Sequence, residues 1–161
     1  MIVDERITAY INSLGMELTP ELLSLEKEAL EHHVPIIKKE TQGVLKFLLR
    51  MQQPKRILEV GTAIGFSALF MSEYTRCDST ITTIEKVPMR MKLLADSGLL
   101  VTDNVLQDGT VTNSRYSITR RDRTIHSRMR EYLHTITHME ELETTILPVG
   151  DGIALSYRTI V

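Results

Sequence analysis

The chain has one cysteine, no run of about 18 apolar residues and no marked excess of either charge sign, its formal net charge being −2. Each shortage excludes something. Cys77 alone cannot close an internal disulfide, so a disulfide scaffold is out, and a lone thiol beside eight methionines points to a reducing, cytoplasmic setting. Without a long apolar run no membrane span is expected, and without a basic, then apolar, N-terminus no signal peptide is expected. A near-neutral total gives no general reason to expect a nucleic-acid partner. Internal repeats and low-complexity segments are missing too, which sets aside solenoids and disordered tracts. What remains is 161 residues, 42% hydrophobic and 25% charged, the profile of one globular domain. A domain of that size can remove roughly 70% of its unfolded surface from water.

The first fifty residues carry helical periodicity. Ile2, Ile7, Tyr10, Ile11 and Leu14 fall on one face and stop at Gly15. Thr19-Pro20 supplies an N-cap and an N1 proline for a helix to about Glu31, which Val34-Pro35 ends. A third helix, about Glu40 to Met51, turns Val44, Leu45, Leu48 and Leu49 inward and stops before Pro54. The period then changes. Arg56 to Val60 is a short apolar run ending at Gly61, Phe66 to Tyr74 reads as a helix, and Thr80 to Glu85 is β-branched. That is a βαβ unit, and its crossover calls for a parallel sheet with helices on its faces. A strand over Leu99–Asp103 follows, then a long amphipathic helix from about Thr119 to Met139 with Ile125, Met129, Tyr132, Leu133 and Ile136 on one face. Two last strands, Glu143–Val149 and Ile153–Arg158, flank Gly150-Asp151-Gly152 as an antiparallel hairpin. The expected fold is thus α/β, Rossmann-like, mostly parallel with an antiparallel C-terminal hairpin and an N-terminal helical preface.

Chemistry concentrates where the first strand becomes a helix, at Glu59-Val60-Gly61-Thr62-Ala63-Ile64-Gly65-Phe66-Ser67. Glycines there admit a ligand close to the backbone, and the helix start offers N–H groups. The spacing is Gly-x-x-x-Gly rather than the Gly-x-Gly-x-x-Gly that seats a pyrophosphate, and Glu59 would repel one. A cofactor with a cationic amino-acid end, such as S-adenosylmethionine, suits it better than a dinucleotide. Glu85 at the end of the next strand is placed to accept hydrogen bonds from ribose hydroxyls. The alternative is an ordinary tight turn beside a solvated strand-end glutamate. Asp103-Asn104 closes the third strand with two hard oxygens, suited to Mg²⁺ or Ca²⁺, or else an Asx turn. His134 and His138 stand at i,i+4 without a third partner at zinc-like spacing and read as solvated. Six arginines between Arg115 and Arg130 make either a solvated helix face or a phosphate-binding one.

Together these segments resemble one family. Ile57 to Ser67, Thr83-Ile84-Glu85-Lys86, Leu99 to Leu106, Gly109-x-Val111 and Leu147-Pro148-Val149-Gly150-Asp151-Gly152 look like the metal-dependent class I O-methyltransferases of the caffeoyl-CoA and catechol type. Within it, Glu31 to Ile36 looks most like the bacterial tRNA 5-hydroxyuridine methyltransferases. The resemblance implies that Gly61, Ser67 and Glu85 contact S-adenosylmethionine, with Glu59 shaping the pocket and Gln42 near the methionine end. It implies that Asp103 and Asn104 ligate Mg²⁺, through which they act in catalysis, and that the chain is a homodimer. The acceptor it implies is tRNA, with Arg120, Arg121 and Arg123 as phosphate contacts; the alternatives are a small catechol-like hydroxyl or a non-catalytic cofactor-binding module.

In one respect the chain departs from the family. Only seventeen residues separate Glu85 from Asp103, where the family has two further βα units carrying the adenine-contacting aspartate and a third metal ligand. About 50 to 60 residues are short at two units of roughly 30 each. The join is expected between Val87 and Ala95. Omission of a stretch from the sequence in hand is favoured over a truly shortened homologue, since central strands are hard to delete while both flanks stay intact.

Overall fold

A computed structural model of the chain describes residues 3–15, 17–84, 97–120 and 122–159, with Arg115 in its backbone only. Its described residues form two compact units, one drawn from residues 11–84 and the other from 3–10 and 97–159. The expected join between Val87 and Ala95 lies outside the described residues, as do Glu85 and Arg121.

The first unit holds helices α2 (Pro20–Glu31), α3 (Lys39–Gln52) and α4 (Phe66–Tyr74) with strands β1 (Arg56–Val60) and β2 (Thr80–Ile84). Pro20 presets the first turn of α2, and the Thr19 hydroxyl accepts from the Leu22 amide at 3.5 Å while donating to Glu73 at 2.6 Å. Helix α3 ends where Gln53 turns left-handed at φ 43°, one residue before Pro54, whose ring disfavours helix in the residue before it. Strands β1 and β2 pair in parallel, Arg56 with Thr80 through Val60 with Ile84, with α4 as the crossover. Leu22, Phe66 and Phe70 are fully buried, and Leu18, Leu25, Ile36, Ile37, Leu45, Ile64 and Tyr74 pack around them. Each such side chain contributes about 1.5–3 kcal/mol. Leu58 and Val60, by contrast, stay 43% and 39% exposed on one face of β1.

In the second unit β3 (Leu99–Thr102), β5 (Ile153–Arg158) and β4 (Leu142–Leu147) form an antiparallel sheet in that order, and α5 (Arg123–His138) packs against β4. Val105, Ile136 and Ala154 are its buried centre, flanked by Met129, Tyr132, Leu133, Leu142 and Ile146. The Thr144 hydroxyl donates to the Ile136 carbonyl at 2.8 Å, and Tyr132 and Thr102 share a 2.6 Å hydrogen bond, so polar groups also tie helix to sheet.

One expectation about a face needs correcting. Ile125 is 54% exposed, and His126 lies on the buried side instead, at 3%. The buried stripe runs 126, 129, 133, 136 at three- and four-residue spacing; Ile125, four residues before Met129, is also in phase with it but lies in the first turn of α5 and stays exposed. The amphipathic α1 (Glu5–Ser13) buries no residue, and Ile7, Tyr10, Ile11 and Leu14 stay more than half exposed. Among the described residues no helix is long and apolar enough to cross a membrane.

Candidate functional site

The turn from β1 into α4 is built from backbone freedom. Gly61 at φ 99° and Gly65 at φ 81° hold conformations that L side chains avoid, and a Cβ added to either would meet nothing within 4 Å. The Gly61 amide donates to the Ile84 carbonyl at 2.7 Å, continuing the parallel ladder past the strand ends. Gly65 donates to Thr62 at 2.7 Å and closes the turn, and it caps α4 without any side chain. Open space therefore sits against two glycines and a helix start without a side-chain cap. Thr62 on the turn and Thr83 on β2 are joined through their hydroxyls, which fixes the turn to the neighbouring strand.

Glu59 points onto this turn. The Ser67 hydroxyl donates to its Oε1, whereas Oε2 is buried with no hydrogen-bond partner among the described residues. A buried carboxylate oxygen without a donor is costly, by about 1–3 kcal/mol or more, and so marks a place for one. Glu59, Gly61 and Ser67, three of the expected cofactor residues, thus come together. Gln42 is also buried, and its amide donates to the Ile37 carbonyl at 3.0 Å, so it fastens the segment leading into α3.

The second expected site lies in the other unit. Asp103 follows β3 half-buried, and Asn104 is exposed in a left-handed conformation, φ 60°. Asn tolerates that region better than most residues. The chain beyond is sewn to the hairpin turn: Val105 N donates to Gly152 O at 3.0 Å, and Leu106 N and Gln107 N to Asp151 O at 2.8 and 3.1 Å. This is what holds the Asp103-Asn104 loop at the carboxyl end of β3. Among the described residues no group of three or more His, Cys, Asp or Glu could hold a metal ion.

Of the three arginines expected to contact phosphate, Arg120 is exposed, and Arg123 spends its Nε on the Ile118 carbonyl at 3.2 Å. What sequence reasoning missed is His126, buried with neither ring nitrogen paired among the described residues. Helical spacing places 126 with 129 and 133 but equally places Ile125 with 129 and 136, so the pattern alone does not choose between them.

A family model described as O-methyltransferase matches residues 13–92 and 85–159. The chain belongs to the O-methyltransferase family. It is thereby an enzyme of the S-adenosylmethionine-dependent methyl-transfer class. The match to this O-methyltransferase model comes in two parts that meet at 85–92. Solved structures agree on the fold. A Staphylococcus aureus protein assigned as a caffeoyl-CoA O-methyltransferase is 22% identical at a TM-score of 0.81, covering 96% of this chain and 98% of its own. The Streptomyces achromogenes O-methyltransferase TomG of tomaymycin synthesis, in complex with S-adenosylmethionine, is 18% identical at 0.77, covering 99% of this chain and 100% of its own. An SAH-bound Podospora anserina methyltransferase, PaMTH1, is 17% identical at 0.76, covering 97% and 95%.

Proposed function

We propose that this O-methyltransferase binds S-adenosylmethionine at the β1–α4 turn and methylates the 5-hydroxyl of the wobble uridine of tRNA. The unpartnered Glu59 Oε2 beside the open faces of Gly61 and Gly65 carries the cofactor half of the reading. A carboxylate in that position can receive the ammonium of the methionine end, a charge-assisted hydrogen bond stronger than a neutral one. Ser67 holds the other carboxylate oxygen and so fixes which way the free one faces. Glycines at 61 and 65 let the backbone come close to the ligand, and α4 offers its first amides to it. When bound, S-adenosylmethionine supplies a methyl group on a sulfonium, which an oxygen nucleophile takes while the C–S electron pair returns to sulfur.

Asp103 and Asn104 offer two oxygens of the hard type that Mg²⁺ prefers, and Mg²⁺ characteristically keeps several waters beside one or two protein ligands. In the reading they hold that cation, which would supply a Lewis acid to lower the acceptor's pKa. Exposed Arg120, Arg128 and Arg130 support a polyanionic acceptor. The exposed stripe of α1 supports a homodimer. The two-part family match supports a stretch lost or left out near residues 85–92, and so does the bare Leu58–Val60 face, because parallel strands are ordinarily covered on both sides.

A small hydroxylated acceptor is the second reading, favoured by the likeness to the caffeoyl-CoA and tomaymycin enzymes. Incubation with methyl-labelled cofactor and either hypomodified tRNA or a catechol panel decides between them. Label in tRNA, lost when Arg120 becomes Ala at moderate salt, is the result expected; label only in the catechols would overturn the tRNA assignment.

A further inference from the structure

The two histidines near the end of α5 belong to neither site described above. His134 and His138 are both exposed, and their rings stack with centroids 4.0 Å apart and planes 7° from parallel. The hydrogen bonds around them fix a tautomer. His138 Nδ1 lies 2.8 Å from the His134 carbonyl, which can only accept, so Nδ1 carries the proton. Thr137 Oγ1, 3.1 Å away, donates its own proton to the Leu133 carbonyl at 2.8 Å and therefore also accepts from Nδ1. His138 Nε2 is left with its lone pair, and among the described residues no hydrogen bond engages either ring nitrogen of His134.

His138 has the arrangement metal-ligating histidines adopt, with one ring nitrogen donating to a backbone carbonyl and the other left for the ion, and His134 stands one turn away with both ring nitrogens open. Two nitrogens bound to one ion at about 2.0–2.1 Å come roughly 3 to 3.4 Å apart with their in-plane lone pairs converging on it, so the rings, 7° from parallel in the unbound chain, unstack and turn toward each other through tens of degrees when the ion binds. Imidazole nitrogen selects borderline divalent ions such as Zn²⁺, Cu²⁺ and Ni²⁺ over Mg²⁺.

We propose that His134 and His138 form a two-histidine chelate on the surface of α5 for one borderline divalent transition-metal ion, with water completing the coordination. The site is separate from Asp103-Asn104, whose oxygens prefer hard cations. An ion bound there bridges successive turns and pins the last turn of the helix that packs on β4.

The test is calorimetric titration of Zn²⁺ into the untagged full chain with millimolar Mg²⁺ present, so that oxygen sites are already filled. The result expected is one Zn²⁺ per chain, with affinity reduced at least tenfold by His134→Ala and by His138→Ala alike, and unchanged by His33→Ala. Circular dichroism of the variants confirms that α5 is intact. Paramagnetic broadening by Cu²⁺ should fall first on the ring protons of these two histidines. Binding that survives both alanine variants, broadening centred on other histidines, or one ion shared between two chains would overturn the proposal.

Discussion

Gly152 sits where the hairpin turn meets the Asp103-Asn104 loop, and its replacement by alanine puts the description of that junction at risk. At φ 91° a Cβ is disfavoured by about 1–2 kcal/mol. The added atom would also lie 2.4 Å from Leu106 Cγ, 2.6 Å from its Cβ and 2.8 Å from its backbone nitrogen. A flexible side-chain tip could swing aside, but the Leu106 amide is tied to Asp151 O at 2.8 Å, and the neighbouring Val105 amide to Gly152 O at 3.0 Å. Relief therefore means giving up one or both hydrogen bonds, at about 1 kcal/mol each, and shifting fully buried Val105, at about 1–3 kcal/mol for an overpacked core. The sum is about 3–7 kcal/mol, a large fraction of the 5–15 kcal/mol typical of a folded domain. Urea unfolding followed by circular dichroism should show a strongly lowered midpoint, and hydrogen exchange should show lost protection at the Val105 and Leu106 amides. Gly152→Ala within about 0.5 kcal/mol of the parent, the range of innocuous surface changes, would refute the junction as described.

Other consequences are simpler to state. Gly61→Ala meets no neighbour, so its stability cost should stop at about 1–2 kcal/mol of backbone strain, while S-adenosylmethionine affinity falls well beyond what that loss explains; unaltered affinity would mean the open space is not the cofactor's. His126→Leu removes two buried, unpaired nitrogens from an apolar seam and should leave stability unchanged or raise it by about 1–2 kcal/mol, whereas a clear loss would show that the imidazole has a partner. Burial holds the Tyr132 phenol above its ordinary pKa, with the Thr102 hydrogen bond opposing. The folded chain thus keeps that proton longer than the unfolded one, so the contribution is fully present below about pH 10 and is lost as pH rises through the folded value. Ultraviolet titration should show two late-ionising tyrosines, since burial also raises Tyr74, of which Tyr132→Phe removes one; an unchanged late-ionising fraction in Tyr132→Phe would contradict it.

Local signals in the sequence were strong where the chain changes period. Arg56–Val60 and Phe66–Tyr74 fall where the apolar run, the glycine turn and the helical pattern place them, and the Thr19-Pro20 cap starts α2 as read. The hairpin around Gly150-Asp151-Gly152 was equally plain, since both glycines adopt positive φ. What covers a face was not legible. Alternation in β1 and the stripe in α1 mark apolar sides but cannot say whether a partner exists, and Leu58, Val60, Tyr10 and Leu14 remain exposed. The seam of α5 was misread at one residue because helical spacing admits both Ile125 and His126 and Ile125 looks more like core. In the candidate site Glu59 and Gly61 stood out in the strand-to-helix turn, whereas Ser67 was singled out only through the family resemblance. The hydrogen bond that occupies Gln42 was not, because Ile37 offers only its backbone carbonyl.

The central claim is that the β1–α4 turn receives S-adenosylmethionine through Glu59. Calorimetric titration of S-adenosylmethionine into the full chain and into Glu59→Gln, which keeps the size of the side chain and loses its charge, tests it most directly. The account predicts one site per chain and at least a tenfold weaker affinity in the variant, the loss of about one charge-assisted hydrogen bond at roughly 1.5–3 kcal/mol. Equal affinities in the two proteins, or no binding to either, would contradict it.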